Sequence, residues 1–239
     1  MLILIFSLLL TQVYSIKDGA PVDECSYPGL CVVLAPNDAI ICNGVKIGGL
    51  LSVPELCGSG MNNFLDNNDL TVICGESTTN FTLTQGTKGA VSDGVYTFDT
   101  STFTGGCNGD AVVYDGLSDI DKTSCEVVGY GADTQSSKTY DGVAQVTSVL
   151  ASTSSPCCDV ILDNLTQDQK GVIIDRTAEF NCVTANGATC GTGDLGAPVY
   201  CNTTAGTTVV IGLTSSSPCT SGGRFLVHDL THGSTKIKF

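Results

Sequence analysis

Apolar positions along this chain come in short runs and not in the three-and-four spacing of an amphipathic helix. Leu30–Leu34, Leu70–Cys74, 111–114, 143–150, 209–213 and 225–227 are β-branched or apolar stretches. Clusters of Gly, Asn, Asp and Ser separate them, among them 58–61, 66–69 and 104–109. Short strands divided by turn chemistry predict an all-β sandwich or barrel and not a parallel sheet with crossover helices. Two segments have helical character. One is 162–170, short and polar; the other is 234–239, where Lys236 and Lys238 suit a helix C-terminus.

Composition narrows the partners. The 239 residues suffice for one compound domain or two small ones. Ten Lys+Arg face twenty-four Asp+Glu, a formal net charge of −14. Such a surface repels phosphate, so nucleic acid and anionic membranes are excluded as expected partners. Thirteen Cys are too many for a reduced cytosol. Residues 1–10 are apolar and uncharged, too short to span a bilayer, and fit the core of a signal peptide ending at Ser15. No later run reaches spanning length. Secretion is the expectation, and the sequons at Asn80, Asn164 and Asn202 are compatible with it.

The most informative stretch is Cys190-Gly191-Thr192-Gly193-Asp194-Leu195-Gly196-Ala197-Pro198-Val199-Tyr200-Cys201. It resembles the nucleophile segment C-x-G-D-S-G-G-P-x-x-C of the trypsin/chymotrypsin family of serine proteases, with one extra residue after Cys190. Further segments resemble that family in order: Ile16-Lys-Asp-Gly its I-V-G-G start, Cys42-Asn-Gly through Leu56-Cys57 its C-G-G through A-A-H-C, and Val72-Ile-Cys-Gly-Glu76 its V-R-L-G-E. Asn108-Gly-Asp110-Ala-Val resembles N-D-I-A-L, Cys125-Glu-Val-Val-Gly-Tyr-Gly131 resembles C-x-V-x-G-W-G, and Gly212-Leu-Thr-Ser-Ser-Ser-Pro-Cys219 resembles G-I-V-S-W-G-x-x-C. The resemblance implies two orthogonal six-stranded antiparallel β-barrels, about 16–116 and 117–239, with a cleft between them and a short C-terminal helix.

That family works by a Ser nucleophile, a His base and an orienting Asp. The resemblance places Leu195 at the Ser and Leu56 at the His, leaving Asp110 alone as the acid. A Leu side chain has no lone pair with which to attack or to take a proton. His228 and His232 both follow the Leu195 segment, whereas the catalytic His belongs to the first barrel. The oxyanion-hole relic would be the N–H groups of Gly193 and Leu195, which depend on backbone alone. The specificity-pocket relic falls on Ala188, Thr214, Ser215, Ser216 and Ser217; Ala188 stands where members that cleave after Lys or Arg keep Asp. Ile16, freed by signal cleavage, would pair its ammonium with Asp194.

The resemblance also implies disulfides Cys42–Cys57, Cys125–Cys201, Cys190–Cys219, and Cys182 with Cys157 or Cys158. It leaves Cys25, Cys31, Cys74, Cys107 and one of the adjacent pair unassigned, and the odd count allows a disulfide-linked dimer. His228-Asp-Leu-Thr-His232 has the spacing of a zinc motif without an evident third ligand, so no metal or other cofactor is expected. The acidic stretch 115–121 is expected to be solvated surface. Gly48-Gly49 and Gly105-Gly106 are expected turns. The resulting expectation is a secreted, inactive protease homologue that binds a protein or peptide ligand. A hydrolase with a relocated site and a structural secreted protein are the alternatives.

Overall fold

The computed structural model describes residue 16 and residues 19–75, 80–103, 107, 109–115, 119–131, 139–151, 180–185, 194–215 and 224–231. The expected helices at 162–170 and 234–239, the proposed leader and Gly105-Gly106 lie outside these residues.

Strand formation dominates, as the short apolar runs require. In chain order the strands are β1 (Ala20–Pro21), β2 (Leu30–Leu34), β3 (Ile40–Ile47), β4 (Leu50–Pro54), β5 (Leu70–Cys74), β6 (Phe81–Leu83) and β7 (Ala90–Ser92). They continue as β8 (Val95–Asp99), β9 (Ile120–Gly129), β10 (Gln145–Ala151), β11 (Phe180–Ala185), β12 (Pro198–Thr203), β13 (Thr208–Thr214) and β14 (Arg224–Asp229). Among the described residues a single α-helix, α1 (Glu55–Phe64), follows β4. All ladders between these strands are antiparallel.

The second half is a closed barrel. Its order is β10-β11-β14-β13-β12-β9, and the β9–β10 ladder joins the two ends. Alternate residues point inward, as a strand's period of two demands. Cys125 and Val127, Val183 and Ala185, Val199 and Cys201, Val209 and Ile211, and Phe225 and Val227 form one buried cluster. β1 adds to the outside of this barrel, pairing Ala20 with Val146. The amino-terminal strand therefore belongs to the second sheet, although it lies in the part of the chain assigned to the first barrel.

The first half is an open sheet, β6-β5-β2-β3-β4-β8-β7, and not the expected closed six-stranded barrel. The two edge strands are consecutive in sequence, so 84–89 must bridge the gap. The donors of that bridge go to α1 and the chain just after it. Gly86 N–H donates to Leu65 O at 2.9 Å, and Gly89 N–H donates to Asn62 Oδ1 at 2.9 Å. The helix thus occupies the place where a ladder would close the barrel. β2 is buried throughout because it is covered twice. Cys31 and Val33 face the first half's own core, while Leu30, Val32 and Leu34 join Tyr130, Tyr200, Val210 and Leu213 between the halves.

The described disulfides are Cys25–Cys107, Cys31–Cys74, Cys42–Cys57 and Cys125–Cys201. Cys42–Cys57 and Cys125–Cys201 are pairs that the family pattern implies; the other two use cysteines it leaves unassigned. The side chains of the remaining cysteines lie outside the description.

Candidate functional site

The 194–197 turn is pinned to both halves. Gly196 has φ +81°, a left-handed conformation that favours glycine. A Cβ there would stand 2.1 Å from Asn43 O and 2.9 Å from Cys42 Sγ, so the backbone of the turn lies directly against β3. Asn43 N–H donates to Leu195 O at 2.8 Å, and Asn43 Oδ1 accepts from Tyr130 N–H at 2.9 Å. This fully buried amide therefore joins the turn, β3 and the end of β9. From the barrel side, Gly196 N–H donates to Thr214 O at 2.8 Å, and Thr214 Oγ1 donates to Asp194 O.

Asp194 is buried, and its position explains the Gly-Tyr-Gly sequence. A Cβ at Gly131 would lie 2.0 Å from Asp194 Oδ1, and one at Gly129 would lie 3.0 Å from the Ala197 Cβ. The two glycines leave the space that the carboxylate and the turn fill. Ile16 is also buried, in the barrel-core cluster that contains Ala197. Gly19 N–H donates to Ile16 O at 2.6 Å, closing a tight turn after it.

Leu56 sits in the first turn of α1, half-buried, next to Cys57. The Cys42–Cys57 disulfide ties that turn to β3, where Cys42 Sγ faces Gly196. Leu56 is the chain neighbour of Cys57, and Leu195 packs half-buried against the cluster that includes Cys42 and Cys57. A pair of hydrocarbon side chains offers neither a nucleophile nor a proton acceptor.

Asp110 is elsewhere. Its carboxylate forms an ion pair with Lys46 at 3.0 Å and accepts from Gly49 N–H at 2.8 Å, at the turn joining β3 and β4. The extended β4, at about 3.4 Å per residue, separates that turn from Leu56. Asp110 thus lies by the turn at the opposite end of β4 from α1. Partial desolvation pushes the Asp110 carboxyl up, but the Lys46 contact and the Gly49 and Gly48 amides outweigh it and hold it below the usual carboxylate value.

β8 pairs Val95 with Pro54, and Glu55 N–H donates to Gly94 O at 2.8 Å. Asp93, the neighbour of Gly94, therefore lies near the start of α1. Asp93 (φ +49°) and Gly94 (φ +77°) form the two-residue turn between β7 and β8. Asp-Gly is a strong hairpin signal, and this turn type takes positive φ at both residues. That signal was available in the sequence. Gly48-Gly49 makes the equivalent turn between β3 and β4, with φ +55° and +78°.

Of the expected pocket residues, Thr214 and Ser215 are buried on and just after β13, with Ser215 N–H donating to Leu226 O at 2.8 Å. Ala188, Gly193, Ser216 and Ser217 lie outside the described residues, as do Asn164 and His232. His228 is buried on β14. Asn80 and Asn202 are exposed. Among the described residues no three His, Cys, Asp or Glu side chains are placed to hold a metal ion, and no helix is long and apolar enough to cross a membrane.

The sequence matches no family model, and no curated protein matches it. Among solved structures the chain is similar to neuropsin, a serine protease expressed in the limbic system of mouse brain. The TM-score is 0.59, at 16% identity, over 90% of this chain and 94% of that one. Identity at that level carries over the architecture and no residue's role. The chain has a trypsin-like fold, its second barrel closed and its first half an open sheet.

Proposed function

We propose that this chain is a secreted homologue of the trypsin-like serine proteases that lacks the nucleophile and the base, and that it acts by binding a protein or peptide ligand. The observation that carries the reading is Leu195. The turn bearing it is held by Asn43, Thr214 and the glycine at 196, yet it presents hydrocarbon where the family pattern has a hydroxyl. Leu56, next to Cys57 of the Cys42–Cys57 disulfide, supports it, because the residue that the family pattern puts at the base is also hydrocarbon. Loss of one triad member already costs several powers of ten in rate. The apolar leader, the four disulfides among the described residues and the exposed Asn80 and Asn202 favour an extracellular protein, glycosylated at these sequons and at Asn164. Signal cleavage after Ser15 would free Ile16, whose burial together with that of Asp194 suits an ammonium–carboxylate pair formed without further processing.

Two measurements test this. Purified protein exposed to a serine-directed fluorophosphonate should take up no label and should turn over no peptide in a substrate library. Leu195→Ser alone should remain at the level of Leu195→Ala, because the base is still missing. Stoichiometric labelling of any Ser would overturn the reading.

A further inference from the structure

Two lengths of chain cross between the halves. One runs from β1, on the outside of the barrel, through the 3-10 turn Glu24–Ser26 to β2 of the open sheet. The other leads from β8 of the open sheet to β9 of the barrel, through residues 100–119. Cys25–Cys107 ties one crossing to the other. The remaining described disulfides each stay within a half: Cys31–Cys74 and Cys42–Cys57 in the first, Cys125–Cys201 in the second.

These disulfides also differ in what a reagent can reach. The cysteines of the three internal ones are at most 4% exposed. Cys107 is exposed and Cys25 half-buried. In thiol–disulfide exchange a thiolate attacks one sulfur along the S–S axis, so the rate depends on access to that sulfur. The internal disulfides become accessible only when part of the fold opens. Cys25–Cys107 is accessible in the folded chain.

Each crossing keeps its own anchors when this bond is gone. Val22 N–H donates to Ala144 O at 3.1 Å, the Tyr27 hydroxyl donates to Glu126 at 2.8 Å, and the Tyr27 ring centre lies 5.2 Å from that of Tyr200. These contacts hold the first crossing to the barrel. On the second, Phe103 is buried in the core of the open half, and Ala111 N–H donates to Lys46 O at 2.8 Å. Farther on, Tyr114 N–H donates to Val210 O of the barrel at 3.0 Å. Opening Cys25–Cys107 therefore leaves both halves folded and removes the covalent link between the crossings.

We propose that Cys25–Cys107 is a thiol-exchange site that acts as a clasp: a small thiol from solvent opens it in the folded protein, and its opening loosens both crossings. The thiolate attacks Sγ of Cys107, the more exposed residue. The S–S bond breaks, a mixed disulfide forms on Cys107, and Cys25 leaves as a thiolate that takes up a proton. A second thiolate attacks the outer sulfur of the mixed disulfide and releases Cys107 as a thiol. The protein gains two electrons and two protons, and two molecules of external thiol are oxidised to one disulfide. Neither step involves Leu56 or Leu195.

The test is timed reduction of the full chain by excess glutathione at neutral pH. Thiols already free are first blocked with N-ethylmaleimide; those released are trapped with iodoacetamide and located by peptide mass spectrometry. Cys25 and Cys107 should be trapped at least about tenfold faster than Cys31, Cys42, Cys57, Cys74, Cys125 and Cys201. In the protein trapped at that stage, amide exchange should rise in 19–27 and 109–115. β2, β5, β12 and β13 should stay as protected as in the untreated chain. The double variant Cys25→Ser with Cys107→Ser carries no adduct and should show the same exchange pattern. Release of Cys25 and Cys107 no sooner than the buried cysteines overturns the proposal. Unchanged exchange in 19–27 and 109–115 after release also overturns it, because the crossings are then held without the bond. A rise throughout both halves does so too, since the bond would then support the whole fold and not the crossings.

Discussion

The two halves solve the same edge problem in different ways. In the second, β9 and β10 pair and the sheet has no exposed ladder along its closed ring. In the first, β6 and β7 remain edges, and the gap is filled by α1 and the 84–89 bridge bonded to it. An unpaired edge leaves backbone donors and acceptors to be satisfied by other means. Among the described residues the open half carries the fastenings Cys31–Cys74 across β2 and β5, Cys42–Cys57 between β3 and α1, and ion pairs of Lys46 with Asp110 and Lys88 with Asp66, and the closed half carries Cys125–Cys201 between β9 and β12. A closed ladder is cooperative by geometry, whereas an open one depends on individual contacts. The halves meet at Asn43, Gly196 and Tyr130, so the 194–197 turn feels both.

The largest effect should come from the junction itself. Gly196→Ala combines a left-handed backbone with a 2.1 Å approach to Asn43 O, and neither the turn nor β3 can retreat without breaking bonds. We expect a loss of about 4 kcal/mol or more in urea unfolding. Gly206→Ala has nearly the same φ, +83°, but nothing within 4 Å of its added Cβ, and should lose only about 1 kcal/mol. Similar losses at the two sites would mean that the halves are not in close contact at residue 196.

Next comes the staple. Replacing Cys31 and Cys74 together by Ala should cost about 3 kcal/mol. The loss should be local: amide exchange should accelerate in β5 and β6 while β12 and β13 stay protected. A uniform rise in exchange across both halves would show that they open as one unit and would cancel the contrast drawn above.

Legibility in the sequence followed the same division between local and long-range causes. β2 and β5 coincide with their apolar runs, and β13 and β14 extend theirs by one or two residues. The run at 111–114 is no strand. It is held to the barrel at the isolated parallel bridge of Val113 with Val210. The 58–61 cluster reads as a turn from its glycines, but it lies inside α1. Gly58 is there because the Tyr96 ring covers that face, leaving a Cβ 2.2 Å from its Cγ, and no local pattern records that contact. The 194–197 turn was legible because its residues are contiguous. The residue beside α1 was not, because it is set by the pairing of Pro54 with Val95, forty-one positions apart (95 − 54).

The smallest effect tests the weakest fastening of the open half. Lys46 bonds Asp110 at 3.0 Å, donates to Phe103 O at 3.3 Å, and stands 5.5 Å from the centre of the Phe103 ring. It therefore ties the chain after β8 to the β3–β4 turn. The Asp110 carboxyl is held below its ordinary value of 3.8 in the folded state. A depressed carboxyl contributes stability that is present above the unfolded value and lost as pH falls through the folded one. Asp110→Asn should thus be less stable than the parent at neutral pH, and the difference should vanish as the pH falls below that range. The carboxylate is 36% exposed, so solvent screening keeps the difference under about 1 kcal/mol. Raised salt should shrink it further. Urea midpoints of parent and variant at neutral and acidic pH provide the check. A variant equally stable at both would remove Asp110 from the set of fastenings, and the open half would then rest on its disulfides and α1.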